Sequence, residues 1–162
     1  GLPYGGHVRG RPPVRQAVSP AALLRSGMRF SPLRLAGLFG AAGVACGAFG
    51  AHGLAARLAE TGYAAQWGTA AQYHLLHAAA LGLCALPGLS PKARRVASRS
   101  FSAGILLFSG SLYVLATTGI KWLGAVTPIG GVLMIVGWLA LAVGACGAAD
   151  GQSGSGERTA SP

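Results

Sequence analysis

Residues 69–86 read TAAQYHLLHAAALGLCAL, a run long and apolar enough to lie in a bilayer that nevertheless carries Gln72, Tyr73, His74 and His77. Polar side chains are costly in hydrocarbon, and where they occur they face protein or water. The stretch therefore reads as an inner wall of a small helical bundle, with three further apolar segments packed around it.

Composition points the same way. Of 162 residues, 52% are hydrophobic and 10% charged, against roughly 25% charged in an ordinary soluble domain. That deficit would leave a water-facing surface under-covered, so the membrane class follows. The net charge of +10 raises nucleic acid as a partner. However, the basic residues fall between apolar runs and in the tail, with no basic helix face or aromatic-interleaved patch, so nucleic acid is excluded. Cys46, Cys84 and Cys146 lie within apolar runs without a C-x-x-C pair, which indicates core thiols rather than a disulfide framework or zinc site.

Taken in order, residues 1–27 hold Pro3, Pro12, Pro13 and Pro20 and no acid, the composition of a disordered basic extension. An Arg-rich transit segment is the competing reading. The four-helix domain then covers 28–149, with helices at about 33–54, 69–86, 101–118 and 127–149, and 150–162 form a disordered polar tail. In the first helix Gly43 and Gly47, Ala36 and Gly40 stand four apart, rows that let a neighbour approach closely; a cleaved signal peptide is the rival reading of this segment. Arg57 and Glu60 suit an ion pair on a short surface helix ended by Gly62, with Tyr63 and Trp67 at headgroup level. Lys92, Arg94, Arg95 and Arg99 crowd one loop before the third helix, whose serines supply interhelical hydrogen bonds. Thr127-Pro128 reads as an N-cap followed by proline at the first helical position.

Four spans place the N-terminus, the middle loop and the C-terminus on one side, with Arg29, Arg34, Lys92, Arg94, Arg95, Arg99 and Arg158; the other side has Arg57 and Lys121. The positive-inside rule puts the richer face in the cytoplasm, or in the matrix of a mitochondrion. The expectation is an all-α, up-down-up-down integral membrane four-helix bundle with both termini inside. The bacterial inner membrane is the expected site, with the mitochondrial inner membrane as the alternative.

Little within the spans can do chemistry. His74 and His77, one turn apart, share a helical face, a spacing that permits a metal ligand pair without supplying the third or fourth ligand. Paired haem ligands would have to be His52 against His74 or His77, with His52 and His74 the better matched in depth. Tyr113 completes the candidate set for a cofactor. The simpler reading is that these histidines are neutral and hydrogen-bonded between helices. Glu60, Asp150 and Glu157 are the only acids and lie outside the spans, so neither a Ser-His-Asp nor a paired-carboxylate site assembles at depth. No catalytic residue, metal or cofactor is expected.

GAFGAHGL at 47–54, WGTAAQYHLLHAAAL at 67–81, LFSGSLYVL at 107–115 and LGAVTPIGGVLMIVGW at 123–138 together resemble the domain-of-unknown-function family numbered 423, which includes bacterial inner-membrane proteins and the eukaryotic transmembrane protein 256. The likeness covers residues 30–148 and implies a small four-helix membrane protein without implying an activity. The functional expectation is a non-enzymatic membrane protein whose partners are the lipid bilayer and other membrane subunits or further copies of itself. The alternative is a small transporter or a cofactor-bearing redox subunit using His52, His74, His77 and Tyr113.

Overall fold

The computed structural model describes residues 31–146, which are helical throughout apart from short connections. Five α-helices follow one another: α1 Pro32–Ala51, α2 Ala55–Thr61, α3 Ala64–Leu83, α4 Pro91–Thr118 and α5 Thr127–Cys146, with a 3₁₀ turn, Lys121–Ala125, before the last. There is no strand among the described residues. Three helical stretches are long and apolar enough to cross a membrane: Pro32–Ala51, Pro91–Thr118 and Lys121–Gly144. The helix α3, from which the sequence reading starts, is not one of them. Gln66, Gln72, Tyr73, His74 and His77 keep it from qualifying beside the other three.

Several boundaries move. The third long helix begins at Pro91 rather than near 101, because Ser90 caps it by accepting a hydrogen bond from the Ala93 N–H at 3.2 Å and Pro91 occupies a first-turn position that needs no donor. Lys92, Arg94, Arg95 and Arg99 are therefore helical residues of α4, not loop residues. The second long helix starts earlier and stops sooner than expected, at Ala64 and Leu83. Thr127 does not act as an N-cap: its hydroxyl lies 3.0 Å from that of Ser111 and 3.5 Å from the Leu123 carbonyl, joining α5 to α4. The expected N-terminal extension, its transit-segment alternative and the polar tail lie outside the described residues.

The packing follows the periodicity of each helix. On α3 the buried set includes Trp67, Ala70, Ala71, His74, His77, Ala78 and Leu81, steps of three and four that lay one stripe along the helix. Close pairs fix the directions. On α1, Gly50 meets Trp67, Gly43 meets Leu75 and Ala36 meets Gly82, so α1 and α3 run oppositely. On the other side of α3, Trp67 meets Tyr113, Tyr73 meets Phe108 and His77 meets Phe101, so α3 and α4 also run oppositely. The α4/α5 seam is built from Gly130 against Phe108, Met134 against Gly104, Gly137 against Phe101 and Gly144 against Ala93. The extensive faces thus run in chain order, and α1 and α5 flank the α3/α4 pair without a comparable face of their own.

The short helix α2 closes one end. The last carbonyls of a helix have no partner within it, and on α4 Thr61 Oγ1 donates to the Ala116 carbonyl at 2.7 Å while Arg57 Nε donates to that of Thr117 at 2.8 Å. Arg57 also pairs with Glu60 at 2.8 Å, as the spacing predicts. Gly62 and Gly119, both at φ 76°, end α2 and α4 in the left-handed conformation that glycine adopts without steric cost.

The α4/α5 seam gives a direct test. A Cβ at Gly130 would lie 2.8 Å from the Phe108 Cα, and a main-chain atom cannot rotate away. Gly130→Ala should destabilise the detergent-solubilised protein by about 1–3 kcal/mol, the usual cost of overpacking. Gly110→Ala, with nothing within 4 Å of the new methyl, should be neutral or stabilise by up to about 1 kcal/mol through helix propensity. Thermal unfolding of both variants in one detergent checks this, and a Gly130→Ala protein as stable as the parent contradicts the close seam.

Candidate functional site

The polar groups that the sequence singles out do not converge. His52 caps the end of α1, exposed, with its backbone N–H bonded to the Ala48 carbonyl at 3.2 Å. His74 instead faces Gly43, its ring edge 3.4 Å from where a Cβ would stand. Nine residues of helix separate Gly43 from His52, about 13 Å along the axis. The expected depth match of His52 with His74 is therefore wrong, because α3 passes α1 with Trp67, not His74, at the His52 end.

His74 and His77 also part company. The His74 ring meets Phe39 of α1 edge-on at 5.9 Å between centroids and Tyr113 of α4 at 6.1 Å. The His77 ring meets Phe101 of α4 at 5.9 Å and Trp138 of α5 at 6.2 Å. Being one turn apart sends them to different neighbours.

The chemistry of His77 is fixed by its partners. Nδ1 lies 2.8 Å from the Tyr73 carbonyl, which only accepts, so Nδ1 carries the proton and donates. The indole N–H of Trp138, which only donates, is 3.3 Å from Nε2. These partners assign the neutral Nδ1–H tautomer, with both nitrogens used. A histidine held this way offers no lone pair to a metal or a haem iron. His74 is less complete: the Tyr113 hydroxyl lies 3.4 Å from Nδ1 and Nε2 is buried without a partner. Among the described residues no three His, Cys, Asp or Glu side chains gather around a common point.

Gln72 and Tyr73, read as interior polar groups, lie on exposed positions of α3. Tyr73 stacks across His77 and Phe108, with centroids at 5.7 and 4.6 Å. Trp67, read as a headgroup anchor, is instead buried, and its indole N–H donates to the Cys46 carbonyl at 3.0 Å. Gly50 makes that possible, since a methyl there would occupy the indole's position. The sequence reading missed both tryptophan roles. The available signal was chemical: an indole N–H is a donor with no acceptor capacity, so a tryptophan inside an apolar bundle calls for an acceptor on a neighbour.

The serines behave as interhelical and intrahelical linkers. Ser111 bonds the Phe108 carbonyl at 3.0 Å as well as Thr127, and Ser102 returns a bond to the Ser98 carbonyl at 2.8 Å. Ser109 is fully buried, and its hydroxyl has no partner. The geometry as a whole is an aromatic and polar lattice centred on α3 that ties the four long helices together.

Comparison with known proteins gives consistent matches. The family model described as "Protein of unknown function (DUF423)" matches residues 46–131. The UPF0382 membrane protein YwdK of Bacillus subtilis is 45% identical over 107 residues, covering 63% of this chain and 85% of that protein. A UPF0382 membrane protein of Haemophilus influenzae is 42% identical over 119 residues, covering 72% of this chain and 94% of its own length. A third, from Staphylococcus saprophyticus, is 46% identical over 104 residues, 62% of this chain and 84% of the relative. No solved structure matches the chain. The matched segment holds all of α3 with its Cys46, Gly50 and Tyr113 contacts, while Phe39 and Trp138 lie beyond it, and the chain belongs to the DUF423 family.

Proposed function

We propose that this chain is a non-enzymatic integral membrane protein. Its four long helices would cross a bacterial inner membrane up-down-up-down with both termini inside, and it would act by packing against lipid and other membrane subunits or copies of itself. The observation that carries the reading is a broad exposed apolar surface around a core that includes polar groups. His74, His77, Ser100, Ser109 and Ser111 are buried, while Leu38, Phe49, Ile135, Leu139 and Val143 are exposed, Val143 by 74%. Water as solvent selects against that arrangement, and hydrocarbon selects for it. The relatives' description as membrane proteins supports it further.

Helix α3 joins the spans in this reading despite its lower hydropathy, since a helix enclosed by its neighbours need not satisfy lipid on every face. Both termini inside follows from the gathering of Arg34, Lys92, Arg94, Arg95 and Arg99 at the end where α1 and α4 begin. The only carboxylate among the described residues is Glu60, held by Arg57 at the other end, which argues against acid–base catalysis at depth. The rival, a small transporter or cofactor-bearing redox subunit, draws only on the open Nε2 of His74 and the unpartnered Ser109 hydroxyl.

Orientation is read by labelling. With the three native cysteines replaced, Lys121→Cys should react with an impermeant thiol reagent from outside intact cells, and Lys92→Cys only after permeabilisation. The opposite pattern contradicts the orientation, and release of the protein by alkaline carbonate contradicts membrane integration.

A packing role for the histidine makes a thermodynamic prediction. Trp138→Phe and His77→Leu should show a coupling of about 0.6 kcal/mol, and no more than about 1.7 kcal/mol, in a double-mutant cycle, the average and the upper end for hydrogen bonds between membrane helices. Zero coupling would mean that the two groups do not interact.

The spectrum tests the rival. Protein purified from its native membrane in mild detergent should show no Soret band. A Soret band lost in His74→Ala would replace the packing reading with the cofactor one.

A further inference from the structure

Where α1 and α4 begin, an open cleft of about 1040 Å³ separates them. Its rim carries Arg34 of α1 and Arg94, Arg95 and Arg99 of α4. Past Ser98 and Ser102 the walls turn apolar, with Leu35 and Phe39 on one side and Ala103 and Leu106 on the other. From Arg99 to Leu106 the wall runs about 10 Å along the helix. We propose that this cleft binds an anionic glycerophospholipid, its phosphate held at the arginine rim and an acyl chain lying along the apolar walls. The proposal deepens the membrane-spanning reading above and rests on it.

Charge complementarity singles out this occupant. The chain has three acids, and the one among the described residues, Glu60, is paired with Arg57 at the opposite end. No carboxylate among the described residues neutralises the four rim guanidiniums. Arg94 spends one terminal nitrogen on the Leu86 carbonyl at 3.1 Å, and Arg95 spends Nε on that of Pro91 at 3.2 Å. Nε of Arg94 is buried without a partner. A phosphate diester supplies several strong acceptors in the fork geometry that guanidinium groups match. Basic pockets between membrane helices on the cytoplasmic side are suited to such headgroups. Residues 1–30 contain no acidic residue, so that segment lacks the charge to fill the rim. An apolar floor beneath a cationic rim suits a ligand that is both anionic and acylated, and is wasted on a free anion.

The test uses the full chain, purified from its membrane and delipidated in mild detergent. Binding is read by native mass spectrometry with diacyl phosphatidylglycerol, diacyl phosphatidylcholine or inorganic phosphate added singly. Phosphatidylglycerol should be preferred over phosphatidylcholine by about tenfold or more, as several near-surface cationic contacts imply. The double variant Arg34→Gln/Arg99→Gln should lower phosphatidylglycerol affinity by about thirtyfold, while Lys121→Gln, one charge removed from the other end, should change it less than about twofold. Inorganic phosphate in excess should not displace the lipid.

Equal binding of the two lipids overturns the proposal, and that is also the result expected if Asp150 and Glu157 of the chain's own tail occupy the rim. An unchanged affinity in the arginine variant, at unchanged thermal stability, overturns it as well. Displacement by phosphate alone would mean a simple anion site. Carbonate extraction of the same preparations separates the two failures, since a protein that stays in the membrane without lipid preference loses only the cleft assignment.

Discussion

An imidazole carries a donor and an acceptor, and inside a bundle of apolar helices both must be met by protein. At His77 they are met from two directions, by the Tyr73 carbonyl one turn back on the same helix and by the Trp138 indole of α5. The second bond fixes more than a tautomer. It brings α5 to α3 across a seam that α4 otherwise dominates, and Phe101 of α4, fully buried, packs edge-on against Trp138 at 5.4 Å between centroids. At the other end of α3 the Trp67 indole does the same for α1 through the Cys46 carbonyl. Helix α3 falls short of an apolar membrane-length stretch because it carries the groups that its neighbours must come in to satisfy.

Close approach then depends on missing side chains. Lipid tails are as apolar as leucine, so helices in a bilayer associate through packing and hydrogen bonds rather than through expulsion of water. Gly130, Gly137 and Gly144 stand on one face of α5 and receive Phe108, Phe101 and Ala93, whereas Gly43 and Gly50 do the same on α1 for Leu75 and Trp67. In both helices the working spacing is seven residues, two turns, which keeps a glycine on the seam along its length. What remains outward on α1 and α5 is aliphatic and aromatic, the surface that, in the proposed setting, lipid or another membrane helix would cover.

Much of this was legible in the chain. The membrane class, the helical content, the Arg57–Glu60 pair and the stops at Gly62 and Gly119 follow from local chemistry, and local chemistry is written in sequence. The small-residue rows were visible too, but four-residue spacing joined Gly43 and Ala36, which do meet α3, to Gly47 and Gly40. Gly47 and Gly40 have nothing within 4 Å of a Cβ, and the true seam runs through Gly43 and Gly50. A single strand of text cannot say which of several glycine rows a partner selects. The same limit explains Trp67: an aromatic ring near a helix end looks interfacial until a glycine on another helix opens room for it. The start of α4 was a different failure, since Ser90-Pro91 is the very pattern recognised at Thr127-Pro128 and was outweighed by the density of charge behind it. Of the candidate site, the individual histidines were found, but their separation was not, because depth along one helix says nothing about the offset at which its neighbour passes.

The two ends of the bundle are chemically unequal, and the inequality is built from the same residue type. At one end Arg57 is spent on Glu60 and on the Thr117 carbonyl, and Thr61 takes the Ala116 carbonyl beside it, so the charge of Arg57 and the exposed end of α4 are settled within the chain and, among the described residues, Lys121 is left as a single cation. At the other end Arg94 and Arg95 reach the Leu86 and Pro91 carbonyls, which uses donors without cancelling charge. A guanidinium bonded to a neutral carbonyl remains a cation. That end therefore keeps a net positive potential where α1 and α4 leave a cleft between them, and a bilayer offers one abundant source of negative charge at that depth, the phosphates of its own headgroups. The asymmetry that would orient the chain and the asymmetry that would recruit anionic lipid are thus one distribution of arginines, acting at two distances.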